Sequence, residues 1–518
     1  MKRKIKKKRI FLLRIIMPKT KLGSEIKNYG YKKLKTNQCR LSSSLENEEL
    51  KKTLKNILQK DDTVAASDSK ELIENIKVIT NPFKCVVVEN FITNQEFLTE
   101  LKLECEYLKF NQKNNDLYKF KQSPALTNNS GNQIHKLRMK LLEQMRPWIQ
   151  DLLHLELESE NLDLFCAMYR HSDTLLCHDD QLEGRKVAFI LYLTDDDWAE
   201  ADGGQLELFN TDEEGNPGSV VRRLMPVNNS FAFFEVSPQS YHQVAEVLSE
   251  SKTRMSLSGW FLGSYSPSSS PRQPPPPSPY LATVELEEDK FFSWINPSYL
   301  NPETQVDIQS QFENSSEISL SEFLQPELYN DLCLALASHE SWTRMGPPDR
   351  RCLDVLDDHD EVDEVIKSCL QFFTSDAFYL MLSNLTGLKL HQLAPESDNE
   401  EEEQEDKAEK VYNPRCRGGY SRWSRGCYTL IRDDDQEQAE YALDLRMFFN
   451  VTGYEEDSEA GGQTVYLARG EDEELVTVMP EENTLSLVYR DKDSLKFIKY
   501  VNSRLEQSFQ DLSLTYYE

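Results

Sequence analysis

Apolar and polar positions divide the chain into stretches of different texture. Residues 1–75 are mostly charged and polar, apart from a helix-like patch around 45–59, and predict a basic, mostly disordered leader. From about residue 78 the texture changes. Residues 83–91 form an apolar run suited to a buried strand. Residues 94–109 place Phe97, Leu98, Leu101 and Leu108 at helical spacing. Residues 135–153 predict a second amphipathic helix, kinked or broken near Pro147. β-Rich runs follow at 165–169, 187–193, 205–209, 230–236 and 254–261, separated by Gly, Asp, Asn and Pro. Helices followed by many short strands predict an α+β domain with a β-sandwich or barrel.

Residues 264–281 include Ser-Pro-Ser-Ser-Ser-Pro and four consecutive prolines, a stiff linker and the clearest domain boundary. The predicted organisation is therefore a leader over 1–75, a first domain over 76–263, the linker, and a second domain over 282–518. The second block opens helical and ends in strands. An acidic run at 396–410 interrupts it and reads as a solvated loop.

The two blocks resemble each other. Thr174 to Gln181 lines up with Thr429 to Gln436, and Gly203-Gly204-Gln205 with Gly461-Gly462-Gln463. Pro226 lines up with Pro480, and Ser256-Leu257-Ser258 with Ser513-Leu514-Thr515. Order is kept and spacing shifts by a few residues, which predicts a duplicated β-domain. In this alignment His178 faces Asp433, Asp180 faces Asp435, His242 faces Lys496 and Arg254 faces Asp511.

Hydrophobic residues make up 39% of the 518, enough for sizeable cores in two to four domains. The formal net charge is −29, so a general DNA-coating role and direct DNA binding are not expected. The charge is uneven: 14 Lys/Arg against Glu25 in residues 1–36 give about +13 there and leave about −42 elsewhere. The basic run at 2–9 suits a nuclear import signal, a solvated tail or, less well, a mitochondrial transit peptide. The apolar stretch at 10–17 contains Arg14 and is too short to span a membrane. Ten cysteines without CxxC spacing fit reduced core thiols rather than a disulfide scaffold or zinc fingers.

The candidate chemistry lies in the first block. In His178-Asp179-Asp180, positions i and i+2 of an extended segment point to one side, so an imidazole and a carboxylate can share a metal while Asp179 points away. His242 follows 64 residues later. Two histidines and a carboxylate make the facial triad of non-haem Fe(II) oxygenases, which leaves positions open for a co-substrate and oxygen. Arg254, 12 residues further, could pair with a co-substrate carboxylate. A lone His-x-Asp is usually surface sequence. His154, His171 and the acidic neighbourhood of His359 read that way.

The motifs 175–180, 185–193, Gly203-Gly204, 233–238, 242–249 and 256–261 resemble those of 2-oxoglutarate- and Fe(II)-dependent prolyl hydroxylases, and more narrowly the ribosomal prolyl 3-hydroxylase family. The resemblance covers roughly 80–518 and also takes in 116–120. It implies two tandem double-stranded β-helix (jelly-roll) domains with flanking helices, only the first holding a metal. It implies Fe(II) on His178, Asp180 and His242, with 2-oxoglutarate on Arg254. Tyr192 is either a hydrogen-bonding helper for the co-substrate or a core aromatic. The expected reaction couples oxidative decarboxylation of 2-oxoglutarate by O2 to 3-hydroxylation of a prolyl residue, with ascorbate as supporting reductant. The expected substrate is a small-subunit ribosomal protein at the decoding centre, basic and so attracted to an acidic enzyme. The second domain, with Asp433, Asp435 and Lys496, should hold no iron. It would support the first or help hold the ribosome or a translation factor. Nuclear and cytoplasmic location is the matching expectation. The competing readings are a non-catalytic binding scaffold and an Fe(II) oxygenase acting on another protein. The complete triad and arginine of the first copy argue against the scaffold.

Overall fold

The computed structural model describes residues 37–59, 71–264 except 74 and 183, 277–356, 362–394, 415–433, and 440–517 except 453, 455–458 and 472. The basic run at 2–9, the acidic run at 396–410, His359 and Asp435 lie outside these residues.

The strands of the first unit are β1 (Glu71–Ile73), β2 (Ile76–Ile79), β3 (Cys85–Val88), β4 (Asn111–Asn114), β5 (Tyr118–Gln122), β6 (Leu162–Tyr169), β7 (Thr174–His178), β8 (Arg185–Tyr192), β9 (Leu206–Thr211), β10 (Pro217–Leu224), β11 (Phe231–Glu235), β12 (His242–Val244) and β13 (Arg254–Leu262). They pair in the order β1-β2-β3-β11-β8-β13-β6-β5-β7-β12-β9-β10, with β4 on β5. All the inter-strand pairings are antiparallel.

Strand alternation sorts the side chains between two cores. Val86, Val88, Phe231, Phe233, Phe189 and Leu191 face four helices: α1 (Glu48–Gln59), α2 (Gln95–Glu106), α3 (Asn132–Lys140) and α4 (Arg146–Leu153). Cys85, Val87, Ala188, Tyr192, Ala232 and Phe234 face inward, toward Leu206 and Leu208 of the opposite strands. This double burial explains the unbroken valine run of β3. Asn94 caps α2 by accepting the Phe97 N–H. The expected break near Pro147 is a wide π-type turn over Leu141–Met145 that separates α3 from α4, with Pro147 in the first turn of α4.

Residues 37–59, read from the sequence as part of the leader, pack against the first unit. Leu50, Leu54 and Leu58 of α1 lie four residues apart on one face and are buried in the first core, together with Cys39, Leu41 and Leu45. The sequence signal was weak because α1 is polar on its other face and stands alone between charged segments. The end of the Pro-rich linker also packs: Leu281 bridges to Cys416.

The second unit contains β14 (Glu317–Leu320), β15 (Trp342–Met345), β16 (Arg351–Leu356), β17 (Arg415–Trp423), β18 (Tyr428–Thr429), β19 (Tyr441–Phe449), β20 (Thr464–Ala468), β21 (Glu474–Val478), β22 (Leu485–Asp491), β23 (Ser494–Ile498) and β24 (Phe509–Tyr517). Their order is β14-β22-β19-β24-β17-β16-β18-β23-β20-β21, with β15 on β16. From β3 onward, the first order maps onto the second strand for strand. Helices again cover the outer face of the larger sheet.

The units meet along the strands that carry His178 and His242. Leu176 packs on Tyr428 and Leu430. The Tyr241 hydroxyl lies 3.4 Å from Asp349 Oδ2. The Ile431 N–H donates to Asp116 Oδ2 at 2.9 Å, and this carboxyl is pushed up by burial. All ten cysteines are free thiols. Among the described residues no helix is long and apolar enough to cross a membrane.

If 37–59 is part of the first unit, Leu54→Ala should cost about 2–5 kcal/mol, because its side chain is fully buried. Urea denaturation of the full chain checks this. An unchanged midpoint for the first transition would mean that α1 is not docked.

Candidate active site

β7 and β12 place His178 and His242 directly opposite each other. Between this pair and Leu175–Val244, β7 advances three residues and β12 two, so β7 carries a bulge. The strand ends at His178. Asp180 follows with φ of +63°, a left-handed conformation that Asp tolerates better than most residues. Simple alternation beyond His178 is therefore not what aims the carboxylate. A backbone reversal at Asp180 does so. Asp179 points away, accepting from the Gln181 N–H and side-chain amide.

His178 Nε2 lies 3.6 Å from Asp180 Oδ1, and His242 Nε2 lies 3.5 Å from Asp180 Oδ2. One donor atom from each residue fits within 4.8 Å of the others, the only such group of three among the described residues. Each imidazole is oriented by its far nitrogen. Nδ1 of His178 lies 2.7 Å from the Leu176 carbonyl, and Nδ1 of His242 lies 2.8 Å from the Ser240 carbonyl. Donation from Nδ1–H leaves both Nε2 lone pairs facing Asp180. Burial, with His178 beside it, pulls the His242 pKa down to about 4, so its imidazole is neutral at pH 7, the form that binds metals. Burial opposes ionisation of Asp180. His178, His242, the Trp260 N–H and Arg185 outweigh it and hold the carboxyl below its usual range. Two imidazoles and a carboxylate suit Fe(II).

Arg254 opens β13 and is almost fully buried. Its guanidinium carbon lies 5.1 Å from the centres of both the Tyr169 and Tyr192 rings. Its Nε donates to the Gly204 carbonyl at 2.7 Å. Nη2 is buried without a well-aligned acceptor, and the buried Tyr192 hydroxyl lies beside the guanidinium. A buried guanidinium with an unmatched N–H is costly unless an acceptor completes it. The carboxylate of a small acid fits that need. Burial raises the Tyr192 pKa to about 12, so its hydroxyl keeps its proton.

Residues 164–262 match the 2OG-Fe(II) oxygenase superfamily. Residues 286–518 match the family described as oxoglutarate and iron-dependent oxygenase degradation C-term. The chain is 44% identical over 461 residues to prolyl 3-hydroxylase OGFOD1 of Xenopus laevis, covering 84% of this chain and 88% of the relative. It is 41% identical over 506 residues to the Mus musculus protein of the same name, covering 86% and 91%. The chain belongs to the OGFOD1-type prolyl 3-hydroxylase family of 2-oxoglutarate- and Fe(II)-dependent oxygenases. Among solved structures, a Pseudomonas putida prolyl-4-hydroxylase aligns at TM-score 0.29 and 22% identity, over 34% of this chain and 91% of that one.

Within this family site, two residues had no role from sequence. Trp260 Nε1 donates to Asp180 Oδ2 at 3.0 Å. The Arg185 guanidinium stacks 3.4 Å from the Trp260 ring centre and lies 3.5 Å from Asp180 Oδ1. Together they fix the carboxylate and form a partly exposed wall beside it. Both lie in motifs that carried the family resemblance, but their partnership across two strands leaves no spacing signature. His154 caps the end of α4 at the surface.

The second unit keeps the backbone and replaces the chemistry. Lys496 stands opposite Tyr466 as His242 stands opposite Leu208, four residues beyond the second glycine of each pair. The expected match of Arg254 with Asp511 is two residues out of register. Arg254 pairs with Tyr169 at the end of β6, and Phe509 pairs with Trp423 at the end of β17. A Cβ on Gly204 would meet the Arg254 side chain, and one on Gly462 the Phe509 ring, each at 2.8 Å. Phe509 is thus the counterpart of Arg254. Register through β11 and β22 makes Phe448 the counterpart of Tyr192. Asp433 also shifts by one: Leu176 and Leu430 make equivalent backbone bonds, which sets Asp433 against Asp179. A two-residue slip preserves strand facing, so alternation could not reveal it.

The cavity of the second unit, about 160 Å³, is lined by paired charges. Asp444 accepts from Arg490 Nε and Lys496 Nζ, both at 2.9 Å. Arg446 pairs with Asp511, which also accepts from Trp423 Nε1. Asp180→Ala should eliminate tight Fe(II) or Mn(II) binding, while Lys496→Ala should leave one ion per chain. Metal analysis of the purified proteins checks both, and a second ion in the wild type would locate a site in the second unit.

Proposed function

We propose that this protein is a 2-oxoglutarate- and Fe(II)-dependent dioxygenase that 3-hydroxylates a prolyl residue of a small-subunit ribosomal protein at the decoding centre, thereby affecting translation. The observation that carries the reading is the group of two imidazoles and one carboxylate whose donor atoms lie within 4.8 Å of one another, on the same unit as the buried Arg254. The relatives named prolyl 3-hydroxylase support the residue type. The net charge of −29 supports a basic partner. Both units are double-stranded β-helices on this reading, supported by their matching strand orders, with the metal site kept only in the first. The basic run at 2–9 supports a nuclear as well as a cytoplasmic location.

His178, Asp180 and His242 would hold the ion, and Arg254 the carboxylate of 2-oxoglutarate remote from it, with the protonated Tyr192 hydroxyl as a further donor. Fe(II), 2-oxoglutarate and O2, when bound, supply the oxidising power to hydroxylate an unactivated C–H bond, which side chains alone lack. The chain's own contribution is positional. Backbone carbonyls fix both imidazoles, while Trp260 and Arg185 fix Asp180. The tyrosine rings flanking Arg254 exclude water from the clamp and strengthen it. The geometry calls for no general acid or base.

Incubation with Fe(II), 2-oxoglutarate, ascorbate, O2 and a proline peptide from the decoding-centre protein should give succinate and a peptide heavier by one oxygen. His178→Ala should abolish both. Succinate without peptide oxidation would redirect the search to another protein substrate. Absence of succinate would favour a binding scaffold. Arg254→Ala should raise the apparent KM for 2-oxoglutarate at least about tenfold, the equivalent of 1.4 kcal/mol. An unchanged KM would remove Arg254 from the co-substrate site.

A further inference from the structure

One carboxylate connects the second unit to the co-substrate clamp. Glu246 follows His242 by four residues, and its side chain is 1% exposed. It turns away from the first unit. Oε2 accepts from Arg425 Nε at 2.8 Å, and Oε1 accepts from the Ser503 N–H at 2.8 Å. Both donors belong to turns of the second unit. The backbone carbonyl of Glu246 faces the other way and accepts from the Gly204 N–H at 3.1 Å. The Gly204 carbonyl in turn accepts from Arg254 Nε. Gly203 and Gly204 have φ of +71° and +69°. A Cβ on Gly203 would lie 2.2 Å from the Glu246 carbonyl. A side chain at either position would clash, so only glycine lets the turn pack between Glu246 and Arg254.

We propose that Glu246 is a positioning residue through which the second unit, by Arg425 and the 503 amide, sets the Gly203–Gly204 turn and hence the pose of Arg254 toward 2-oxoglutarate. The second unit, which has Phe509 where the first has Arg254, thereby completes the co-substrate site of the first. Without Arg425, a buried carboxylate keeps one donor where it had two, and it must move toward water or repack. Either movement pulls on the Gly204 carbonyl. The inference rests on the proposed placement of 2-oxoglutarate at Arg254.

Arg425 is half-exposed and is none of the residues placed at the metal or co-substrate site, so Arg425→Ala should fold. Equilibrium binding of 2-oxoglutarate to the Zn(II)-loaded full chain is the first readout. The expected result is about three- to tenfold weaker binding, in the range of coupling between linked sites. kcat at saturating 2-oxoglutarate and KM for the peptide should stay within about twofold. Arg425→Lys should recover part of the affinity. Hydrogen exchange at the Gly204 amide should quicken in Arg425→Ala. Glu246→Gln, which keeps the shape but not the charge, should weaken binding in the same direction. Wild-type affinity in Arg425→Ala overturns the inference while leaving the proposed function intact. An equal fall in kcat for every substrate, with a lowered Tm, also overturns it, because it marks general destabilisation. Wild-type protein that binds no 2-oxoglutarate overturns this inference and the proposed function together.

Discussion

The register between β7 and β12 is the constraint on which the site depends. His178 and His242 come from strands 64 residues apart and meet as a cross-strand pair. A one-residue slip would turn one imidazole to the opposite face of the sheet. Two features hold the register. The bulge in β7 lets both Leu175 and His178 face inward, despite their odd spacing. The outer face of the same strands is covered: Cys177 and Tyr241 pack on Phe209, and Leu176 packs on Tyr428 and Leu430 of the second unit. The strands that carry the candidate ligands are thus buried on both sides, and their order is tied to the docking of the two units.

Duplication makes the molecule its own control. Two copies of one strand order carry different chemistry at equivalent positions. In the first, Arg254 lies between two tyrosines with part of its guanidinium unmatched. In the second, the equivalent places hold Phe448 and Phe509, and the buried charges that remain are paired internally. A charge left unmatched in a core is retained where a ligand completes it, whereas a structural core tends to pair it or replace it with apolar side chains. The contrast shows that the β-scaffold needs neither the triad nor the arginine to fold.

The second unit also contacts the strands and turns around the candidate site. Its turns reach the strand end beyond His242, and its Ile431 amide holds Asp116 of the β4–β5 hairpin. A site made of strand ends and glycine turns has few local means of holding its shape. A packed neighbouring unit supplies order from outside, and the burial of Glu246 is the most direct trace of that arrangement.

Much of the fold and the site was legible in the residues themselves. An apolar run located β3, β-rich runs located β6, β8, β9, β11 and β13, and helical spacing located α2 and the broken α3–α4 pair, because burial patterns are local consequences of the pleat and the helical turn. The residue types His, Asp, His and Arg in one block, absent from its repeat, singled out the candidate centre. Other features only the tertiary structure decided. Residues 37–59 join the first core because α1 finds a sheet-covering neighbour that its own polar sequence does not announce. Phe509, not Asp511, stands where Arg254 does, because a slip of two residues leaves every side chain on the same face. Trp260 reaches Asp180 from 80 residues away, and Arg425 and Ser503 reach Glu246 from 179 and 257. Hydrogen bonds over such separations follow from how the sheets close and the units dock, and no local pattern of the chain encodes them.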